Sequence, residues 1–257
     1  MILIKTKEEI DIMRESGKRL KGVFDSILPQ IKPGVTKKEI DRRAEELILK
    51  LGGQPSFKMV PGYHWATCVT VNEEVVHGIP DEYVIKERDI ISLDAGVLYG
   101  GFHTDKSWTV EMSNAKRQMS NLKFLQAGKL ALARAIEAAR PGKRVGHISL
   151  AIQKTIEGAG YTCIRDLTGH GVGRKLHEKP KIPCFLKDKL ENTALLREGM
   201  TLAIEVIYCW GKSELALAED GWTIITRDGK MAALFEETIA VTADSPLVLT
   251  DGSSRGD

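Results

Sequence analysis

A chain of 257 residues can bury one large core or two fused halves, and 37 lysines and arginines against 35 aspartates and glutamates leave a formal charge of +2, too balanced to point to nucleic acid as the main partner. No stretch approaches the roughly 20 apolar residues of a membrane span, and no apolar run with a small-residue cleavage site opens the chain, so a cytoplasmic protein without membrane partners is expected. Four widely spaced cysteines, Cys68, Cys163, Cys184 and Cys209, form no Cys-x-x-Cys pair and fit reduced thiols.

Helical spacing of apolar residues predicts helices over 8–28 and 36–51, the second opened by a capping box of Thr36 and Glu39. Strand patterns follow at 68–71, 89–97 and 108–112. Two further helices are expected over 114–139 and 145–159, bounded by proline or glycine, and then strands at 201–208, 223–226 and 232–241. Lys32-Pro33-Gly34-Val35 before one helix is echoed by Arg140-Pro141-Gly142-Lys143 before another. In both places two helices lead into antiparallel strands, which argues for two related α+β halves rather than βαβ units. The expected unit is one domain over 1–249 with a frayed tail at 250–257, whose terminal Arg255-Gly256-Asp257 reads as chance.

Asp94 in Ile91-Ser92-Leu93-Asp94-Ala95-Gly96 and Asp105 in Phe102-His103-Thr104-Asp105 are equidistant from Tyr99-Gly100. A chain that turns there brings the carboxylates face to face across a ladder, where like charges repel and a bound cation is the natural remedy. Glu205 and the pair Glu236-Glu237 stand in strongly apolar strand patterns, and a buried carboxylate needs a partner. Singly, each acid is more often an outward-facing strand residue or a salt-bridge member. Together with His170, set between glycines in Thr168-Gly169-His170-Gly171-Val172-Gly173, they form a hard-oxygen set with one imidazole. Such a set suits Mn, Fe, Co or Zn, and four carboxylates match two divalent ions sharing a bridging water. The glycines mark a close backbone approach, but they lack the Lys-Ser or Lys-Thr of a phosphate loop.

These residues and their neighbours, His77-Gly78-Ile79-Pro80, His103-Thr104-Asp105, His177-Glu178-Lys179-Pro180, Ala203-Ile204-Glu205 and Asp220-Gly221-Trp222-Thr223, resemble the type I methionine aminopeptidases over nearly the whole chain. The resemblance implies the pita-bread fold, an α+β architecture of two pseudo-two-fold halves whose antiparallel sheet is covered by helices. It implies two divalent ions on Asp94, Asp105, His170, Glu205 and Glu236, with Asp105 and Glu236 bridging. It assigns His77 and His177 to substrate, Glu205 to proton transfer, and Tyr63, Cys68, Leu176 and Trp222 to the methionine side chain.

The activity so implied is removal of the initiator methionine before a small second residue. The expected partners are N-termini of nascent polypeptides, with transient ribosome contact, no specific DNA, and a monomeric enzyme. Two departures stand out: the family usually has proline where this chain has Val206, and histidine where it has Glu237. The first puts the strand end and the pocket wall in question, and the second makes Glu237 a competitor of Glu236. An Xaa-Pro peptidase on the same fold is the nearest rival. A binding-only relative is the other, though such relatives typically lose the ligands kept here.

Overall fold

The structure, a computed structural model, describes residues 2–112 and 119–251. Its helices are α1 (Lys7–Ile27), α2 (Lys37–Lys50), α3 (Met119–Ala138) and α4 (Val145–Gly158). The strands of the first half are β1 (Gln54–Pro55), β2 (Thr67–Val71), β3 (Glu74–Val76), β4 (Ile90–Tyr99) and β5 (Phe102–Glu111). Those of the second are β6 (Thr162–Cys163), β7 (Thr168–Gly171), β8 (Glu178–Pro183), β9 (Thr201–Cys209), β10 (Leu215–Leu217), β11 (Ile224–Thr226), β12 (Ala232–Ala240) and β13 (Leu247–Val248). All four expected helices are present, and the first residues expected of the third, 114–118, lie outside the described residues.

Local chemistry explains where the helices start. At α1, Thr6 and Glu9 form a reciprocal capping box. At α2, the Thr36 hydroxyl accepts from the Glu39 backbone N–H at 3.1 Å, but the Glu39 carboxylate turns to Arg43 one turn on. The expected box is therefore half formed, because the charged partner outcompetes a backbone amide. The buried stripe of α1, Met13, Leu20, Phe24 and Ile27, lies against β4 and β5.

Ten strands form one antiparallel sheet whose path is β1-β4-β5-β12-β9-β7-β8, with β2, β13 and β6 added on β4, β12 and β9. Strands β10, β11 and β3 form a separate small sheet. The sequence echo is structural. Gly34 donates to the Ile85 carbonyl and Gly142 to the Leu196 carbonyl, and Ile85 and Leu196 donate back to Val35 and Lys143. Each half thus ties the turn before its second helix to the segment that enters its long strand.

Strand alternation separates two faces. Leu93, Ala95 and Val97 pack into the core beneath α1 and α2. Ile204, Val206 and Phe235 pack into the core beneath α3 and α4. Residues of opposite parity, Asp94, Glu205 and Glu236 among them, face away from the helices.

The β4–β5 hairpin corrects the expected register. Gly100 and Gly101 hold φ of +58° and +81°, a two-residue turn that only glycine-like backbones adopt easily. The hairpin is therefore centred one residue later than the sequence symmetry implied, with Tyr99 opposite Phe102. Asp94 faces Ser107 and Asp105 faces Gly96, so the two aspartates are diagonal neighbours on one face rather than direct opposites.

The halves meet along β5 and β12, where Lys106 pairs in register with Glu237. Both are buried on the helix side, joined as an ion pair, and the Lys106 ammonium lies 5.6 Å from the Phe24 ring and 5.2 Å from that of Trp108. The Thr250 hydroxyl also donates to Glu237, and Thr250 is fully buried. Of the expected tail, residues 250 and 251 are described, and the remainder, 252–257, lies outside the described residues.

Breaking a buried pair leaves a lone charge, whereas removing both partners does not. We expect Lys106→Met to cost about 3 to 5 kcal/mol of stability in urea unfolding, and Lys106→Met with Glu237→Leu to recover most of it.

Candidate metal centre and pocket

The ladders place the acids in a row. Reading across the sheet from β2 to β9, Cys68 faces Asp94, Asp94 faces Ser107, Ser107 faces Glu236 and Glu236 faces Glu205. Two residues along the strands, Asp105 faces Gly96 on one side, and its backbone N–H donates to the Thr238 hydroxyl on the other at 2.8 Å. Thr238 in turn faces Ala203, and Ala203 faces His170. One face of five adjacent strands, β4, β5, β12, β9 and β7, therefore presents four carboxylates and an imidazole.

The side chains converge. Ligand atoms of Asp105, His170 and Glu236 all lie within 4.8 Å of one another. His170 Nε2 is 3.5 Å from Glu205 Oε1 and 3.8 Å from Asp105 Oδ2. Its Nδ1 donates to the Gly171 carbonyl at 2.8 Å, a tautomer that leaves Nε2 as a free lone pair aimed at the acids.

No arginine or lysine lines the cavity among the described residues. Burial, then the neighbouring acids, pushes Asp105, Glu205 and Glu236 well above the ordinary carboxylate range, and burial raises Asp94 to about 7. Burial, then His177, lowers His170 to about 4. Asp94 Oδ1 and Glu236 Oε1 are buried with no hydrogen-bond partner. Orphaned oxygens, mutual repulsion and a neutral imidazole are what a divalent cation relieves, so this donor set fits the hard or borderline ions expected of it.

All eleven expected site residues line one cavity of about 160 Å³. Tyr63 donates its hydroxyl to the Thr67 carbonyl at 2.8 Å, and Cys68 Sγ lies 3.2 Å from that hydroxyl. Trp222 stands edge-on to Tyr63 at 5.2 Å, held by Asp220, which accepts from the backbone of Trp222 and Thr223. Leu176 closes the apolar end. The Asp41 carboxylate, on α2, accepts from the Ala66 and Thr67 amides and fixes the start of β2, which carries Cys68.

His77 follows β3 with φ of +58° and His177 stands 4.5 Å from the His170 ring. Burial, joined at His77 by the nearby His177, draws both below the usual histidine value, which leaves them neutral at pH 7. Phe57, Val60 and Val76 complete the lining and were not expected. They sit in short, unpatterned segments that offer no periodicity to read.

The glycines around His170 have another reason than the approach of metals. They belong to strand β7, and a Cβ on Gly169 would sit 2.6 Å from the Ala203 carbonyl oxygen, on Gly171 2.3 Å from that of Lys179. A Cβ on Gly173 would meet the Lys5 side chain at 2.3 Å. Lys5 reaches through that gap to Glu178 at 2.5 Å, both buried, tying the N-terminal segment to the residue after His177. Both departures also lie off the centre. Val206 is buried in the core of the second half and β9 runs on to Cys209, while Glu237 points to Lys106 on the opposite face.

The profile of metallopeptidase family M24 matches residues 11–243. Methionine aminopeptidase 1 of Bacillus subtilis is 40% identical over 250 residues, spanning 97% of this chain and 99% of that one. The crystal structure of methionine aminopeptidase from Thermotoga maritima superimposes with a TM-score of 0.93 at 40% identity, covering 97% and 99% of the two chains. Prolidase from Pyrococcus furiosus shares the fold at a TM-score of 0.77 and 24% identity, and its match leaves about a third of that chain uncovered, 66% being spanned. The fold is the pita-bread fold.

A group whose folded pKa is raised stabilises the fold below its unfolded pKa and loses that contribution as pH rises through the folded value. With Asp94 raised to about 7 and three further acids raised well above the carboxylate range, the metal-free protein should lose melting temperature as the pH rises through 7. His77, His103, His170 and His177 are lowered and carry the opposite sign, but their contribution is complete once the pH passes the ordinary histidine value of 6.5, so above it the acids set the slope. Scanning calorimetry in chelator should show this slope, and saturating Mn at pH 8 should remove it.

Proposed function

Since the chain belongs to metallopeptidase family M24, among its methionine aminopeptidases, and is by that membership a metalloaminopeptidase, we propose that it removes the initiator methionine from nascent proteins in the cytoplasm, acting as a monomer with two divalent ions. The observation that carries the proposal is the cavity with four raised or orphaned carboxylates, one unprotonated imidazole nitrogen and, among the described residues, no lysine or arginine.

Asp94, Asp105, His170, Glu205 and Glu236 would hold the ions, Asp105 and Glu236 being the most deeply buried of the acids and the two that would be shared. When bound, the ions supply Lewis-acid chemistry, polarising a peptide carbonyl and making water nucleophilic near neutral pH. Co, Mn, Fe and Zn all accept such a ligand set.

The chain's own groups do the rest. Glu205, at the mouth between the acids and the wider groove, accepts the proton released by the attacking water. His177, neutral and on the same rim, donates through a ring N–H to the carbonyl oxygen as negative charge grows there. His77, on the facing segment, orients the amide being cleaved. Tyr63, Trp222, Cys68 and Leu176 bury the thioether side chain, worth about 2 to 3 kcal/mol at the usual transfer value, with sulfur–aromatic contact added. A cavity of 160 Å³ holds one side chain, which explains an exopeptidase.

Chelation should abolish turnover and Mn, Co or Fe restore it. With metal restored, Met-Ala-Ser should be cleaved well, Met-Leu-Ser poorly and Ala-Pro-Ser hardly. Preference for Ala-Pro-Ser would overturn the substrate, and full activity without metal would overturn the mechanism. His177→Ala should lower kcat by about 100- to 1,000-fold while metal stoichiometry, read by elemental analysis, stays at the wild-type value.

A further inference from the structure

A second cavity, about 720 Å³, opens from the first and shares Val76, His77, His170, His177 and Glu205 with it. We propose that this groove holds the substrate polypeptide beyond its second residue, and that Lys179 and Lys181 give it a preference for acidic side chains there. The inference rests on the aminopeptidase reading and adds to it a sequence preference downstream of the cut.

The argument begins with volume. The inner cavity takes one side chain, so every residue after the scissile bond must leave past His77 and His177. The groove is the space that begins at those residues. Ile2, from the N-terminal segment latched by Lys5 and Glu178, and Ala194 contribute to its lining.

Charge comes next. Lys181 faces His170 across the β7–β8 ladder, so both side chains stand on the same face of the sheet. Lys179 lies two residues away along β8. Both are exposed, line the groove, and have no ion-pair or hydrogen-bond partner among the described residues.

The acids of the same groove do not cancel them. Glu178 is neutralised by Lys5 at 2.5 Å, and Glu205 belongs to the metal centre. Asp166 is the remaining acid and lies in the bend before β7, whereas Lys181 stands directly opposite His170. A substrate leaving the centre therefore meets the two ammonium groups first. Recognition falls to side chains, because Pro180 and Pro183 leave the edge strand β8 without two of its backbone donors and discourage strand addition.

The test uses Mn-loaded full-length enzyme and four peptides: Met-Ala-Ser, Met-Ala-Ser-Ser-Ser-Ser, Met-Ala-Asp-Asp-Ser-Ser and Met-Ala-Lys-Lys-Ser-Ser. Solvent-exposed pairs are weak and screened by salt, so kcat/KM for the acidic hexapeptide should exceed that for the basic one by about three- to tenfold at 50 mM NaCl. The difference should lie mainly in KM and shrink at 500 mM NaCl. Lys179→Glu with Lys181→Glu should invert the order. Acidic and basic hexapeptides cleaved equally, or an order unchanged in the double variant, would overturn the groove assignment. Failure to cleave any of the four would overturn the aminopeptidase reading instead. In that case fluorescence anisotropy of the C-terminally labelled acidic and basic hexapeptides decides the groove by itself: preference for the acidic peptide, reversed in the double variant, sustains it, and equal binding rejects it.

Discussion

Glu236 and Glu205 face each other across an antiparallel ladder, with Asp105 and Asp94 one step away on the same surface. Side chains so placed are about 5 Å apart at their Cβ atoms, and like charges there destabilise the sheet that carries them. No lysine or arginine lines the cavity these acids share among the described residues, and two of the carboxylate oxygens are left without a donor. Much of the remaining structure can be understood as what holds these strands together in spite of that repulsion, and so keeps the acids at a separation a divalent ion can span.

The opposite face of the same strands supplies the restraint. One residue away from Asp105 and Glu236, Lys106 and Glu237 form a buried attractive pair in the same ladder, with Thr250 on the glutamate. Repulsion on one face is thus backed by attraction on the other at the seam between the halves. The family's usual histidine is replaced here by an acid, and the geometry supplies that acid with a lysine directly opposite. Glycines 169 and 171 serve the same end, because any side chain there would hold β7 away from β9 or β8 and move His170 off the centre.

Beyond the centre, the site is divided by chemistry. A small apolar chamber of Tyr63, Cys68, Leu176 and Trp222 ends on one side of the acids, and a larger groove edged by His77, His177 and Lys181 begins on the other. The first can enclose a side chain and the second can pass a chain. Glu205 and His170 are common to both, which puts the cleavage chemistry at their junction.

Period and composition alone located the four helices and six principal strands, because each has enough apolar residues at 3.6 or 2.0 spacing to carry the pattern. The acids were legible for the same reason: Asp94, Glu205 and Glu236 interrupt strands that are otherwise apolar. Short-range chemistry was read less well. The turn at Gly100-Gly101 shifted the hairpin by one residue, and Thr168–Gly171 around His170 forms a short strand, β7, that no apolar pattern marked. Contacts between distant residues could not be read at all. Lys5 with Glu178, Lys106 with Glu237, and Asp41 with the start of β2 join positions 173, 131 and 26 residues apart. The side to which Val206 and Glu237 turn was likewise settled only when the strands paired, since alternation fixes which residues share a face but packing decides which face meets the helices.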